Sequence, residues 1–237
     1  MKTITAIIAT AFVLSSCNAI GKKGNGNVTI EDRTVSSFTR LSIEGVFPVE
    51  LSQDGSREWV KVETDENLQE FVVIKNDGDE LKIEMKDKPN VRKSTKIKVY
   101  VNVKNLSEIN FNSIGNLTSN GKLSFDSVEL NTEAVGKLNL DLDAEFLRAN
   151  LNSVGTTTLS GNVFEARINN KSVGALNAYD LKTKVLMIHN VAVGAAEVYA
   201  DSIFHIRSSA IGTLKYKGAG QVVELKSEGV GKVEKEE

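Results

Sequence analysis

A small residue, then Val or Ile, then Gly, recurs seven times along the chain. The copies are Ser113-Ile114-Gly115, Ala134-Val135-Gly136, Ser153-Val154-Gly155, Ser172-Val173-Gly174, Ala192-Val193-Gly194, Ala210-Ile211-Gly212 and Gly229-Val230-Gly231. Their glycines are 21, 19, 19, 20, 18 and 19 residues apart. A period near 20 with this regularity is the signature of stacked coils.

The columns in phase with each glycine say what each coil is made of. Eight residues before it stand Val128, Leu147, Ala166, Leu186, Phe204 and Val223; six before it stand Ile109, Leu130, Ala149, Ile168, Ile188, Ile206 and Leu225. Two after it stand Leu117, Leu138, Thr157, Leu176, Ala196, Leu214 and Val233; four after it stand Leu140, Leu159, Ala178 and Val198. Spacing of two is strand periodicity with alternate side chains facing one core. Each repeat is therefore expected to hold two short strands, one on either side of the glycine. The glycine itself either takes a backbone shape that a Cβ forbids or lets two backbones approach closely. One coil cannot bury both of its strands, but coils stacked at about 4.8 Å can, and six intervals make a column about 29 Å tall. A helical solenoid is rejected, because no window shows helical apolar spacing and the repeats are rich in Val, Thr, Asn and Gly.

Composition agrees. Aromatics are 6% and hydrophobics 41%, which suits a thin core of small aliphatics, and only two prolines interrupt the ladders. The net charge of -2 offers no basic excess to a nucleic acid.

The single cysteine, Cys17, excludes an intramolecular disulfide. Residues 1–16 carry Lys2, an apolar run from Ile4 to Leu14, then Ser15-Ser16 before Cys17. This resembles a bacterial lipoprotein signal in which the cysteine becomes lipidated, the run being too short to span a bilayer. Attachment to the membrane would be through acyl chains on Cys17. No acidic run follows the cysteine, and residues 17–27 form a Gly-, Lys- and Asn-rich stretch expected to be a flexible tether.

Residues 28–104 lack the repeat but are expected to form a β-rich cap that protects the first edge of the 105–237 solenoid. Phe38–Ile43 with Val46–Leu51, then Trp59–Val62, give strands, with a turn at Gln53-Asp54-Gly55. Thr64-Asp65-Glu66 has helix-start chemistry. Asn76-Asp77-Gly78 marks a hairpin. After Pro89, Ile97, Val99, Val101 and Val103 alternate with Lys96, Lys98, Tyr100 and Asn102, a half-buried strand. The charged Lys232–Glu237 segment is suited to blunting the last edge.

Ala210-Ile211-Gly212-Thr213-Leu214-Lys215-Tyr216-Lys217-Gly218, Val222-Val223-Glu224, Gly229-Val230-Gly231, Leu159-Ser160-Gly161, Leu176-Asn177-Ala178 and Val62–Leu68 resemble the "putative auto-transporter adhesin, head GIN domain" family. The similarity runs over about residues 38–231. Its corners usually read Gly-small-Gly or Gly-Val-Gly, whereas here only Gly229-Val230-Gly231 matches fully. The resemblance implies a β-helix-like fold, often behind a lipoprotein signal, and no activity or catalytic residues.

His189 and His205, the only histidines, sit in neighbouring coils with no convergent ligands, and the Gly-Gly-x-Gly-x-Asp calcium pattern is absent. Asp141 and Asp143 are expected in a solvated turn. No Gly-x-Ser-x-Gly elbow exists. A polysaccharide lyase on a β-helix would need clustered Arg, Lys and Asp, and Arg148, Arg167 and Lys171 are placed in adjacent coils but different columns. Five before each glycine stand Asn110, Asn131, Asn150 and Asn169, then His189, Arg207 and Lys226. Stacked Asn side chains hydrogen-bond as a ladder, here chiefly structural and alternatively a polar binding strip. Tyr179 and Tyr199, five after their glycines, and Tyr216, four after its own, are the candidate binding residues, a platform for a glycan or a protein or else a packed outer ladder.

The expected molecule is an all-β, right-handed β-helix-like solenoid with coils of about 20 residues and a β-rich N-terminal cap. It is expected to be a non-enzymatic, lipid-anchored envelope protein with an adhesin-like or scaffolding surface, needing no cofactor and no metal. Its partners are the membrane, through the anchor, and an envelope protein or glycan. A carbohydrate-active enzyme is the alternative.

Overall fold

The computed structural model describes residues 23–86 and 97–237. Residues 1–16, expected to be a signal, together with Cys17, Pro89 and Lys96, lie outside the described residues.

The described residues form eighteen strands and one 3-10 helix. The strands are β1 (Val28–Arg33), β2 (Arg40–Gly45), β3 (Val49–Ser52), β4 (Trp59–Asp65), β5 (Val72–Asp77), β6 (Glu80–Met85), β7 (Lys98–Asn102), β8 (Glu108–Ser113) and β9 (Leu117–Thr132). They continue as β10 (Leu138–Leu151), β11 (Thr157–Asn170), β12 (Leu176–Ala178), β13 (Leu181–Asn190), β14 (Ala196–Tyr199), β15 (Ile203–Ser208), β16 (Leu214–Lys217), β17 (Gln221–Ser227) and β18 (Val233–Lys235). The result is a β-solenoid.

Two long faces enclose one core. The first stacks β5, β6, β2, β8, β9, β10, β11, β13, β15 and β17. The second stacks β1, β4, β7, β3, β9, β10, β11, β12, β14, β16 and β18. From β8 onward each coil pairs in parallel with the next coil in sequence, as stacking of equivalent coils requires. Where two strands per coil were expected, β9, β10 and β11 instead run unbroken for 16, 14 and 14 residues, bending from the second face onto the first. Only later coils split, the first of them at the Tyr179-Asp180 turn.

The described strands of the N-terminal region join the same stack. β2 lies between β6 and β8, and β3 between β7 and β9, so one coil formed early in the chain is covered by a later one. The antiparallel strands β5, β4 and β1 then close that end. The hairpin forms as expected, with Gly78 at φ 62°. The helix is a 3-10 turn over Glu66–Phe71, and Asp65 makes no side-chain cap. Residues 23–27, expected as loose tether, bond to this turn: Asn67 Nδ2 donates to Lys23 O at 2.9 Å and Asn27 Nδ2 to Glu66 Oε2 at 2.9 Å.

The corner glycines explain the repeat. Gly155, Gly174, Gly194 and Gly212 hold φ between 129° and 140°, a region L side chains avoid. A Cβ on Gly174 would also lie 1.8 Å from the carbonyl oxygen of Gly155 in the coil above. Both reasons for glycine therefore apply at once.

Inward columns are buried through the stack except at its end, where Val233 is partly buried and Val223 and Leu225 are exposed. Val223 is exposed, because a register shift between Phe204 and His205 puts Val222 opposite Phe204 instead. Leu225 stays in register with Ile206 but is half exposed, no described coil lying beyond it. Asn102, expected to face solvent, is fully buried. Its amide donates to Asp54 Oδ1 at 2.8 Å and Arg57 O at 3.0 Å and accepts from Ser52 Oγ at 3.0 Å, pinning the loop after β3 over it. Asp141 and Asp143 lie within β10, not in a turn, and Asp143 pairs with Lys122 at 3.1 Å.

Candidate binding face

Alternation along the first face sends the residues seven, five, three and one before each glycine outward. The column five before is an amide ladder. Asn131 Nδ2 donates to Asn110 Oδ1 at 3.0 Å, Asn150 Nδ2 to Asn131 Oδ1 at 2.7 Å, and Asn169 Nδ2 to Asn150 Oδ1 at 2.8 Å. His189, Arg207 and Lys226 continue the column in register. The Asn110 amide donates to Glu108 at 3.0 Å, and the second amide hydrogen of Asn150 goes to Glu129 at 3.1 Å. The ladder predicted from spacing is present, and it orders the outer surface of four coils.

Beside it lies a shallow groove of about 820 Å³. The amides and His189 form one wall, and Asn112, Glu133, Asn152 and Lys171 the other. Next to that second wall, Ile114, Val135, Val154, Val173, Val193 and Ile211 bridge one another from coil to coil while 47% to 58% exposed. Among the described residues this apolar ridge is left about half exposed, which is unusual for six aligned β-branched side chains. The repeat contained it in plain view, since these are the middle residues of each corner triplet.

Sequence spacing missed a second, inner ladder. Four residues before each glycine the side chain points inward, and here stand Thr132, Asn170, Asn190 and Ser208, all buried. Asn170 Nδ2 donates to Asn190 Oδ1 at 2.9 Å, and Ser153 Oγ to Thr132 Oγ1 at 2.9 Å. Parity was the available signal: these positions are in phase with the buried Phe111 and Leu151.

The three tyrosines are divided by the structure. Tyr216 belongs to the inward column of Ala178 and Val198, is buried, and meets Phe204 edge-on at 5.1 Å. Tyr179, Tyr199, Lys217 and Glu236 share the outward column of the second face. Lys217 Nζ lies 4.9 Å over the Tyr179 ring and Lys182 Nζ 4.0 Å over that of Tyr199. Tyr179 donates to Glu236 at 2.6 Å, and Tyr199 donates to Asp201. Burial, then the Glu236 carboxylate, holds the Tyr179 hydroxyl far above its ordinary value. The Tyr179 hydrogen bond, followed by Lys217 and Lys215, draws Glu236 down to about 2. This cluster ties the last described strand to coils above it.

The basic residues differ from expectation too. Arg148 and Arg167 are register partners in one column, not separate ones, because both stand seven before a glycine. They flank the Phe146 ring and pair with Glu129 at 3.9 Å and Glu165 at 2.8 Å; Lys171 stands apart, in the column three before. His189 is exposed, and His205 lies 3.9 Å from Glu224. Among the described residues no three His, Cys, Asp or Glu side chains are grouped to hold a metal ion. Among them, too, no helix is long and apolar enough to cross a membrane.

Solved structures share this architecture. A "putative adhesin" from Bacteroides fragilis superposes with a TM-score of 0.85 at 20% identity, covering 91% of this chain and all of that one. A "putative adhesin" from Parabacteroides merdae gives 0.64 at 24% identity, covering 91% and 99%. A "putative lipid binding protein" from Parabacteroides distasonis gives 0.65 at 20% identity, covering 90% and 99%. No curated protein matches the chain. The family model described as "Putative auto-transporter adhesin, head GIN domain" matches residues 37–220, and the chain belongs to that family.

Proposed function

We propose that this is a non-enzymatic, adhesin-like lipoprotein of the bacterial cell envelope, anchored through acyl chains on Cys17. The observation that carries the reading is the first outer face: a groove and an aligned apolar ridge on a rigid stack, with its amides hydrogen-bonded to one another. A surface of that kind suits recognition, because its polar groups are held in place by each other. The family assignment and the charged start, short apolar run and Ser-Ser-Cys of residues 1–17 support the address.

Two measurements test it on intact cells. Labelled palmitate should enter the wild-type chain and not the Cys17→Ser variant; no label in the wild type contradicts the anchor. Protease added outside should remove the chain from intact cells. Protection there, with cleavage after lysis, contradicts the adhesin role and places the chain inside the envelope.

A further inference from the structure

We infer that the binding face recognises a second copy of this chain, the two solenoids lying antiparallel, face to face. This rests on the adhesin-like reading and names the partner. Three features of the face carry it.

The first is a pair of opposite charges. Glu133 and Lys171 stand in the column three before the glycine, two coils apart, with Asn152 between them. Both are exposed, and among the described residues neither makes an ion pair. Among neighbouring charges, Arg167 pairs with Glu165 at 2.8 Å and Arg207 with Glu224 at 2.9 Å, while Glu44, in the same column two coils before Glu133, is also without an ion pair among the described residues. A two-fold axis across the face at Asn152 sets Glu133 against Lys171 of the second copy, and Lys171 against its Glu133. A closed two-fold contact needs this self-complementarity.

The second is that the same operation matches most positions of the other columns, the exception being Arg148, which falls on the axis, faces its own counterpart and is paired within its own chain to Glu129 at 3.9 Å. It lays amide ladder on amide ladder, Asn131 against Asn169 of the second copy. It brings Glu129 opposite Arg167 of the second copy. It also sets Val135 against Val173 and Val154 against itself, so the exposed ridge covers its own counterpart. An exposed aligned apolar strip rimmed by polar groups marks an interaction surface.

The third is size. Four outward columns over six intervals make a face of ~20 Å by ~29 Å, on the order of 600 Å² per copy. The total of ~1,200 Å² is at the low end for specific contacts. Each pair is therefore weak, and many anchored copies on two facing surfaces add up by multivalency. The antiparallel arrangement places the two N-terminal ends at opposite ends of the pair, which suits bridging of two surfaces.

The test is sedimentation velocity on the chain carrying Cys17→Ser, over a wide concentration range. A reversible dimer that weakens with salt is expected. Glu133→Lys or Lys171→Glu alone should weaken it about tenfold or more, since each sets like charges together across the axis. The double variant should restore it to within about threefold of the parent, the charges having exchanged places. Both positions are exposed, so the variants should melt as the parent does. A chain that stays monomeric at millimolar concentration overturns the inference, as does a double variant no better than the singles. Attachment of displaying cells to a surface lacking the chain, with no dimer in solution, overturns the inference and leaves the adhesin reading standing. A dimer with charge-swap rescue from a chain never displayed outside the cell supports the inference and removes that reading.

Discussion

The described parts of residues 28–104 and residues 105–237 build the same two faces by different means. In the second region each coil lies on the one before it in sequence, and the corner closes by glycine resting on the carbonyl of the previous glycine. In the first, strands interleave out of order, three pairings are antiparallel, and the corner is filled by an aromatic ring. A Cβ on Gly45 would strike the Phe47 ring at 2.3 Å, and one on Gly115 would strike the Phe47 carbonyl oxygen at 2.4 Å. Phe47 thus ends the column of corners. A repeated coil needs the same residue at every turn, whereas a terminal coil is solved once, by whatever side chain fills the space.

That contrast can be broken at its strongest point. Gly174→Ala combines a forbidden φ with a Cβ 1.8 Å from a backbone oxygen, and should cost about 4 kcal/mol in urea unfolding. Gly121→Ala, at φ 84° with open space around it, should cost about 1 kcal/mol. Equal losses would show that the stack gives way as easily as a turn. Next in size, Phe47→Ala should cost about 3 kcal/mol by leaving a cavity under the first corner. A negligible loss would mean that the N-terminal coil closes without its plug.

The two ladders sharpen the comparison within the repeat. Asn190→Ala leaves a buried Asn170 amide hydrogen without its acceptor, and should cost about 2 kcal/mol. Asn150→Ala, on the half-exposed ladder where water substitutes, should cost about 0.5 kcal/mol. The smallest effect belongs to the C-terminal tie. Glu236 is drawn from 4.5 to about 2, so its stabilising contribution is present above the unfolded value and is lost as pH falls from about 5 to about 2. Tyr179→Phe removes the first cause, and a nuclear magnetic resonance titration should find the Glu236 value moved back toward 4.5. An unchanged value would assign the shift to Lys217 and Lys215 alone.

Much of this was legible in the chain. The corner triplet, the inward columns and the outer amide ladder follow from spacing, because each position recurs in the same environment six or seven times. What escaped had no second copy or depended on a neighbour far away. Asn102 looks outward by alternation and is buried only because the loop at Asp54–Arg57 folds over it. Tyr216 is one residue out of phase with Tyr179 and Tyr199, and in a strand one residue separates surface from core. The ridge of Ile114 to Ile211 was visible as apolar letters, but its exposure needed the bend of the corner.

The most direct test of the account is attachment of cells displaying the chain to a surface coated with it, comparing wild type with Asn112→Arg/Asn152→Arg. Both positions are exposed on the groove wall, away from every ladder bond, so the melting temperature should be unchanged. Most attachment should be lost with the fold intact. Attachment equal to wild type would contradict the account, and would move the binding surface off this face.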